Sequence, residues 1–297
     1  MRTYAMRGTA YLLASDDLPL YAAAMRQVHG GRDRWFTAFG LDAKRAYEVF
    51  GAIAAALDGR ILSRQELVDE LQRRAGSWVF EVFDPTLADL TAMAAYAGVL
   101  AYGPPQGAKT TFVRADQWCP RWSEVDEEDA LGEMVHRYVA GYGPVTHNDL
   151  ARWLAIKAAA ARQLLGSLGD RLTQVDLEGT TAWLPADDAE PAGGDERDPG
   201  RAVCLLPQYD CYILGAGPLD RVVAADAEDL IRRRNRGRYE GAAGMSVLLV
   251  DGIVAGVWER QQRGRRLDLA VVQVRPRWLG SVPVLTGVPQ LTPSLLT

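Results

Sequence analysis

The chain has 297 residues, of which 48% are apolar and 24% charged, the balance of a folded protein rather than a disordered one. Its 33 basic and 38 acidic side chains leave a formal net charge of -5, which argues against a uniformly basic nucleic-acid-binding coat. No apolar run is long enough to span a bilayer and no secretory leader opens the sequence, so we expect a cytoplasmic protein.

The first 60 residues are predicted to be the remainder of a larger N-terminal region. The apolar run 11–13 is typical of a strand but has no predicted partner before it, which suggests a missing segment. Ser15 is predicted to cap a helix that has Pro19 in its first turn. Residues 41–57 form a predicted amphipathic helix. Its predicted core face comprises Tyr47, Phe50, Ile53, Ala54 and Leu57.

Residues 61–116 have the pattern of two helices followed by a hairpin. Ser63 and Glu66 stand at the spacing of a capping box, just where the first of these helices begins. The helices are predicted at 65–73 and 86–97, and the hairpin strands at 99–102 and 110–114. A connecting helix is predicted at 126–140.

Residues 143–185 repeat that pattern, and PVTHNDLARWL matches ILSRQELVDEL of the first copy. Thr146 is predicted to cap a helix at 148–155, and a second helix follows at 156–168. The predicted apolar face of the second helix comprises Ile156, Ala160, Leu164, Leu165 and Leu168. Two strands joined at Glu178-Gly179-Thr180 complete the order of a winged helix, a motif whose second helix enters the DNA major groove.

The C-terminal third is predicted to be β-rich. Residues 187–200 are rich in Asp, Glu, Pro and Gly and are predicted to be an exposed linker. A strand at 202–207 precedes a three-stranded meander with Asp251-Gly252 at its first turn. The predicted fold is α+β, with tandem winged helices and a C-terminal β-rich domain. The predicted domains are 1–60, 61–122, 123–190 and 201–282, with a tail at 283–297.

Several basic side chains are candidates for contacting DNA phosphates. Residues 201–297 hold 13 arginines against 9 acidic side chains, and five of these arginines lie within 232–238. The alternative for each candidate is an ordinary solvated surface position. The candidates are Lys109, Lys157, Arg162, Arg232, Arg233, Arg234, Arg236, Arg238, Arg263 and Arg265.

Five stretches in order, at 2–9, 109–118, 141–154, 206–215 and 247–258, carry a family resemblance. Through them the chain resembles the winged-helix DNA-binding proteins that include the AlkZ and YcaQ DNA glycosylases. The resemblance implies hydrolysis of the N-glycosidic bond of alkylated or cross-linked purines in DNA repair. It also implies that a Gln-x-Gln or Gln-x-Asp motif holds the attacking water, with no metal or other cofactor.

The sequence departs from the family at this motif. In the family the motif lies upstream of the stretch that begins here at Arg2, so we expect it to be absent, through either a misassigned start or a genuine loss. Two Gln-x-Asp tripeptides, at 174–176 and 208–210, lie elsewhere in the chain. Asp210 is therefore only a weak catalytic candidate, and a structural hydrogen bond is its alternative role.

Three hypotheses on function follow, and the first is a monomeric protein that binds double-stranded DNA and resembles a glycosylase. The others are a non-catalytic winged-helix DNA binder, for example a regulator, and a protein-interaction module. Whether the chain is itself an enzyme is left open. Cys119, Cys204 and Cys211 have no metal-ligand spacing and are interpreted as buried free thiols.

Overall fold

The computed structural model describes residues 1–29, 37, 40–84, 86–188, 202–217, 219–223, 227–228, 231, 244–263 and 266–273. The predicted tail at 283–297, the arginine run at 232–238 and all but the start of the predicted linker lie outside these residues.

Helices and strands both run through the described chain, so the predicted α+β class is confirmed. The helices are α1 (Leu18–Val28), α2 (Ala43–Leu57), α3 (Arg64–Arg74), α4 (Val79–Val82), α5 (Ala88–Tyr96), α6 (Ala115–Trp118), α7 (Glu127–Tyr142), α8 (His147–Leu154), α9 (Ala158–Ser167), α10 (Cys211–Gly215) and α11 (Leu219–Val222). The strands are β1 (Arg2–Tyr4), β2 (Ala10–Leu12), β3 (Leu62–Ser63), β4 (Leu100–Tyr102), β5 (Thr111–Arg114), β6 (Leu172–Leu177), β7 (Thr180–Pro185), β8 (Val203–Leu206), β9 (Val247–Val250), β10 (Ile253–Arg263) and β11 (Arg266–Gln273).

The N-terminal strands pair with each other, so the prediction that the 11–13 segment lacks a preceding partner is wrong. β1 and β2 are antiparallel, with Thr3 opposite Tyr11. Tyr96, at the end of α5, is buried, and its hydroxyl donates a hydrogen bond of 2.6 Å to the carbonyl of Ala5. The Ala5 carbonyl also accepts the Gly8 N–H at 3.3 Å, and the bond from Tyr96 connects the hairpin to the helical core.

Two helix predictions near the N-terminus are also corrected. Ser15 opens a short 3-10 turn before α1 and donates to Asp16, so its hydroxyl does not cap the helix. Tyr47 is 55% exposed, because it points away from the inward stripe of α2. The buried residues of α2 are Ala46, Val49, Phe50, Ala52, Ile53, Ala56 and Leu57.

The first helix–hairpin copy has an additional helix in front of it. α2, β3, α3, the short α4, α5 and the β4–β5 hairpin follow one another, and the antiparallel strands lie in the order β3-β5-β4. Leu67 and Phe112 belong to the buried cluster that joins α2, α3 and α5. The predicted capping box is confirmed, since Glu66 N–H donates to Ser63 Oγ and Ser63 N–H donates to the Glu66 carboxylate at 2.7 Å.

The second copy repeats this order with α7, α8, α9 and the β6–β7 hairpin. The predicted cap at Thr146 is confirmed, because Asp149 N–H donates to its hydroxyl at 3.3 Å and Asp149 accepts the Thr146 N–H at 2.9 Å. Trp153 of α8 stacks on Tyr138 of α7, with ring centroids 4.3 Å apart. The apolar faces of α7 and α8 thus meet as their spacing predicts.

Two hairpin turns have the left-handed backbone that their sequences indicate. Glu178 and Gly179 have φ of 53° and 83°, and Asp251 and Gly252 have φ of 53° and 81°. A type I′ turn requires positive φ at both central residues, which is why X-Gly pairs are favoured there.

The C-terminal strands form one antiparallel sheet in the order β11-β10-β9-β8. The predicted meander is β9, β10 and β11, and β8 adds to it as a fourth strand. The register shifts between Val254 and Gly256, which places a bulge in β10.

The chain divides into two compact units. The first unit comprises Met1–Gly143, Leu150–Gln174 and Trp183–Ala186. The second comprises Pro144–Asp149, Val175–Ala182 and Asp187–Thr297. α8 and the β6–β7 hairpin therefore contribute residues to both units, and the domain boundaries predicted from the sequence stay a prediction.

Candidate nucleic-acid interface

Lys109 lies at the tip of the β4–β5 hairpin. Its backbone exchanges hydrogen bonds of 3.0 and 3.2 Å with Gln106, which leaves Gly107 and Ala108 as the turn. Gly107 has a φ of 62°, a conformation that glycine adopts without strain. Because the Lys109 side chain is exposed at this tip, its ammonium is free to approach a phosphate oxygen.

The carboxylate of Glu66 lies near two cations. The Ser63 hydroxyl and N–H donate to it at 2.6 and 2.7 Å, and these bonds lower the pKa of Glu66. The positive charges of Lys109 and Arg60 lower it further. The charges of Lys109 and Arg60 thus both act on the Glu66 carboxylate, and Arg60 is a residue that the sequence analysis missed.

A second carboxylate in α3 holds three arginines. The side chain of Glu70 is only 4% exposed, and Arg60, Arg73 and Arg74 approach its oxygens at 2.6, 2.9 and 2.9 Å. Hydrogen bonds from Arg60 first, then from Arg74, lower the pKa of Glu70 to about 2. The spacing of Glu70 with Arg73 and Arg74 was visible in the sequence, whereas Arg60 comes from outside the helix.

Lys157 and Arg162 lie at the start and in the second turn of α9, the helix predicted to enter the major groove. Both side chains are exposed. The predicted apolar face of this helix is only partly right, because Ala161 and Leu165 are buried whereas Ala160 is exposed. Four successive alanines carry no preference for one face, so the sequence alone does not fix the rotation of α9 about its axis.

Both Gln-x-Asp tripeptides use their carboxylates to hold backbone. Asp176 accepts the N–H of Gly179 at 2.9 Å in the β6–β7 turn. Asp210 accepts the N–H of Tyr212 at 2.9 Å and caps α10. Asp210 thus makes the structural hydrogen bond that was the alternative to a catalytic role, and its catalytic role stays a prediction.

An exposed aromatic ring borders a recess of about 970 Å³ in the second unit. Tyr209 is 64% exposed and has a φ of 60°, which is uncommon for a bulky residue. Trp258 also lines this recess, and its indole N–H donates to the Leu206 carbonyl at 2.9 Å, fixing the neighbouring loop. Gln208 and Arg260 add an amide and a guanidinium, groups that suit a planar base.

The other candidate arginines are not described at the level of side chains. Arg263 ends β10, where its backbone pairs with Arg266. The following candidates lie outside the described residues: Arg232, Arg233, Arg234, Arg236, Arg238 and Arg265.

In the described residues, no set of three or more His, Cys, Asp or Glu side chains is arranged to hold a metal ion. In that part of the chain no helix combines the length and apolarity that crossing a bilayer requires. Cys119 is buried, but Cys204 and Cys211 are exposed, so the prediction of buried thiols is right only for Cys119.

Helix–hairpin copies with exposed cations, followed by an antiparallel sheet, make up an α+β protein. Residues 1–283 match the family model described as "DNA glycosylase AlkZ-like". The chain is 33% identical over 276 residues to an interstrand DNA cross-link repair glycosylase of Streptomyces sahachiroi, which covers 87% of this chain and 70% of that protein. The solved structure of Streptomyces sahachiroi DNA glycosylase AlkZ superposes with a TM-score of 0.72 at 29% identity, covering 92% of this chain and 72% of that one. The chain belongs to the AlkZ-like DNA glycosylase family, which confirms the resemblance found in its sequence.

Proposed function

We propose that the chain binds double-stranded DNA and resembles glycosylases that act on alkylated or cross-linked purines, with the family's water-positioning motif expected to be absent from this sequence. The observation that carries this proposal is the family match over residues 1–283, which includes a relative named for cross-link repair. Exposed cations on the two helix–hairpin copies support the DNA-binding part of it.

The proposed reaction is hydrolysis of the bond between the sugar C1′ and the purine N9. Water supplies a hydroxyl group to C1′, its proton passes to solvent, and the base leaves with the bonding electrons. An alkyl group at N7 makes the bound purine cationic, so those electrons neutralise it and the base leaves readily. The protein then has to position water and stabilise positive charge that develops on the sugar.

The binding step is assigned to Lys109, Lys157 and Arg162. Each is exposed, and a cation that contacts a DNA phosphate releases a condensed counterion. The chain has three lysines, and the third, Lys44, is 85% exposed on α2, where it pairs with Glu48. Lys44 is therefore a matched control for the other two.

The binding test is fluorescence anisotropy of a labelled duplex over a range of salt concentrations. We expect the wild-type affinity to fall steeply with salt. Lys109→Gln and Lys157→Gln should each weaken binding and make the salt slope shallower by about 0.9, the value for one lost phosphate contact. Lys44→Gln should leave affinity and slope unchanged. Equal effects of all three substitutions would point to bulk charge instead of an interface.

The catalytic test is release of N7-methylguanine from an alkylated duplex, with unmodified duplex as the control. Release of the alkylated base alone supports the glycosylase assignment. Duplex binding without base release would favour the non-catalytic DNA binder. Failure to bind any duplex at low salt, together with a stable protein partner in a pull-down, would favour the protein-interaction module.

A further inference from the structure

The ion-pair network around Glu70 has an excess of positive charge. Three guanidinium groups, those of Arg60, Arg73 and Arg74, share the single carboxylate of Glu70. Two positive charges are left without a carboxylate in this network. Glu70 is almost completely buried, so it acts as an anchor beneath the arginines rather than as a surface partner.

Two other networks of three or more charged groups in the first unit lack this excess. Arg137 and Arg171 share Glu133, and Asp17 also binds Arg137, which makes that network neutral. Arg114 binds both Asp58 and Asp116, which leaves a negative excess. Among these three networks, the Glu70 network is the one with an excess of positive charge.

The arginines keep most of their donors available. A guanidinium has five N–H groups, and in the described structure the ion pairs of these three arginines are all made with Glu70. The side chains of Arg60, Arg73 and Arg74 are 48%, 67% and 40% exposed. Exposed, pre-positioned guanidinium groups are the standard means of binding phosphate through paired hydrogen bonds.

The helix dipole does not account for this arrangement. Arg73 and Arg74 lie in the last turn of α3, where the dipole favours cations. Arg60 precedes β3 and lies outside α3, so the dipole of α3 does not explain its position. It nevertheless makes the shortest contact with Glu70, at 2.6 Å. Two separate segments of the chain therefore converge on one point.

The position of α3 in the fold indicates which anion the three arginines would bind. α3 is the first helix of the helix–helix–hairpin order, and in helix-turn-helix proteins the first helix crosses the DNA backbone. We propose that Arg60, Arg73 and Arg74, held by Glu70, form a binding site for backbone phosphates of duplex DNA. This site rests on the proposed DNA-binding function and adds to it a contact distinct from the hairpin-tip Lys109.

The test compares two double variants in the full chain. Arg73→Gln/Arg74→Gln removes two exposed guanidiniums and leaves Glu70 paired with Arg60, so the fold is retained. Arg137→Gln/Arg171→Gln removes two arginines of similar exposure from the neutral network and is the matched control. Circular dichroism and thermal unfolding verify that each variant is folded.

We expect Arg73→Gln/Arg74→Gln to lower duplex affinity about tenfold or more at low salt. Its salt slope should be shallower by about 2, because two phosphate contacts are lost. The control should keep affinity within about twofold of wild type and an unchanged slope. Arg73→Lys/Arg74→Lys keeps the positive charges but loses the paired N–H donors of the guanidinium groups. This variant should therefore keep the wild-type salt slope while it binds duplex more weakly than wild type.

Each contrary outcome is distinct. Wild-type protein that fails to bind duplex at low salt would overturn the proposed function and this site with it. Wild-type binding that Arg73→Gln/Arg74→Gln leaves intact, or that the control weakens equally, would overturn the site alone. In a further contrary outcome, poly-glutamate competes with the labelled duplex as well as unlabelled duplex does, and Arg73→Gln/Arg74→Gln abolishes this competition. That result would show a general site for acidic polymers and would overturn the phosphate assignment.

Discussion

Glu70 is a carboxylate whose ionisation depends on the folded structure. Its ordinary pKa is 4.5, and hydrogen bonds from Arg60, Arg74 and Arg73 lower the pKa to about 2. A carboxyl group with a lowered folded-state pKa stabilises the protein above its unfolded-state pKa. That contribution is lost as the pH falls from about 4.5 towards 2.

Glu70→Gln should therefore destabilise the protein in a pH-dependent way. We expect it to lower the unfolding midpoint near neutral pH, because three arginines lose their anionic partner. The difference from wild type should shrink as the pH is lowered from about 5 towards 2, because Glu70 takes up a proton in the unfolded chain below about 4.5 but in the folded chain only near 2. The measurement is urea unfolding across that pH range.

Glu48→Gln is the control for this substitution. Glu48 is 50% exposed and lies 4.0 Å from Lys44, so its ion pair contributes little. Its difference from wild type should be small at every pH. A Glu70→Gln difference that stays constant over the range would show that loss of packing, rather than loss of charge, causes the destabilisation.

At the scale of elements, the capping box of α3 positions the proposed phosphate site of Arg60, Arg73 and Arg74, called the arginine site below. Ser63 and Glu66 satisfy each other's backbone N–H groups, so α3 begins at Arg64 and its last turn carries Arg73 and Arg74. Ser63→Ala should lower the free energy of unfolding by about 1 kcal/mol, the usual loss for a helix cap. Ser167→Ala is the comparison, because the exposed Ser167 hydroxyl donates only to the Leu164 carbonyl.

Urea or guanidinium unfolding measures both serine variants. The Ser167→Ala value should lie within about 0.5 kcal/mol of wild type. Equal losses in the two variants would mean that the cap hydrogen bond contributes no more than an ordinary surface hydroxyl.

Elements fixed by neighbouring residues were predictable from the sequence. The capping box at Ser63, the cap at Thr146 and the turn at Asp251-Gly252 all depend on groups within three residues of one another. Each of these predictions is confirmed, since such short-range chemistry is written directly in the sequence.

Elements fixed by distant residues were not predictable in the same way. The pairing of β1 with β2, the buried face of α2 and the addition of β8 to the meander all depend on tertiary packing. The arginine site depends partly on neighbouring residues and partly on a distant one. Glu70 with Arg73 and Arg74 follows helical spacing, but Arg60 reaches Glu70 only because the chain turns back between α2 and α3.

For the whole molecule, the net charge of -5 does not contradict binding to a polyanion. Salt screens charges beyond about 8 Å at physiological ionic strength. A duplex therefore interacts with the cations next to it rather than with the net charge of the whole protein. Arg60, Arg73 and Arg74 meet at Glu70, and the charges of Lys109 and Arg60 both lower the pKa of Glu66. The three arginines make a local basic surface on an acidic protein.

A bound duplex should consequently protect a limited part of the first unit. We expect hydrogen–deuterium exchange to slow around residues 60–74, around the 106–109 turn and around residues 157–162 when saturating duplex is added. The amides of 133–137 and of 171, which carry the neutral network in the same unit, should exchange at unchanged rates. Protection spread evenly over both regions, or confined to the second unit, would contradict a local phosphate-binding surface at α3, because its cations attract a backbone only at short range.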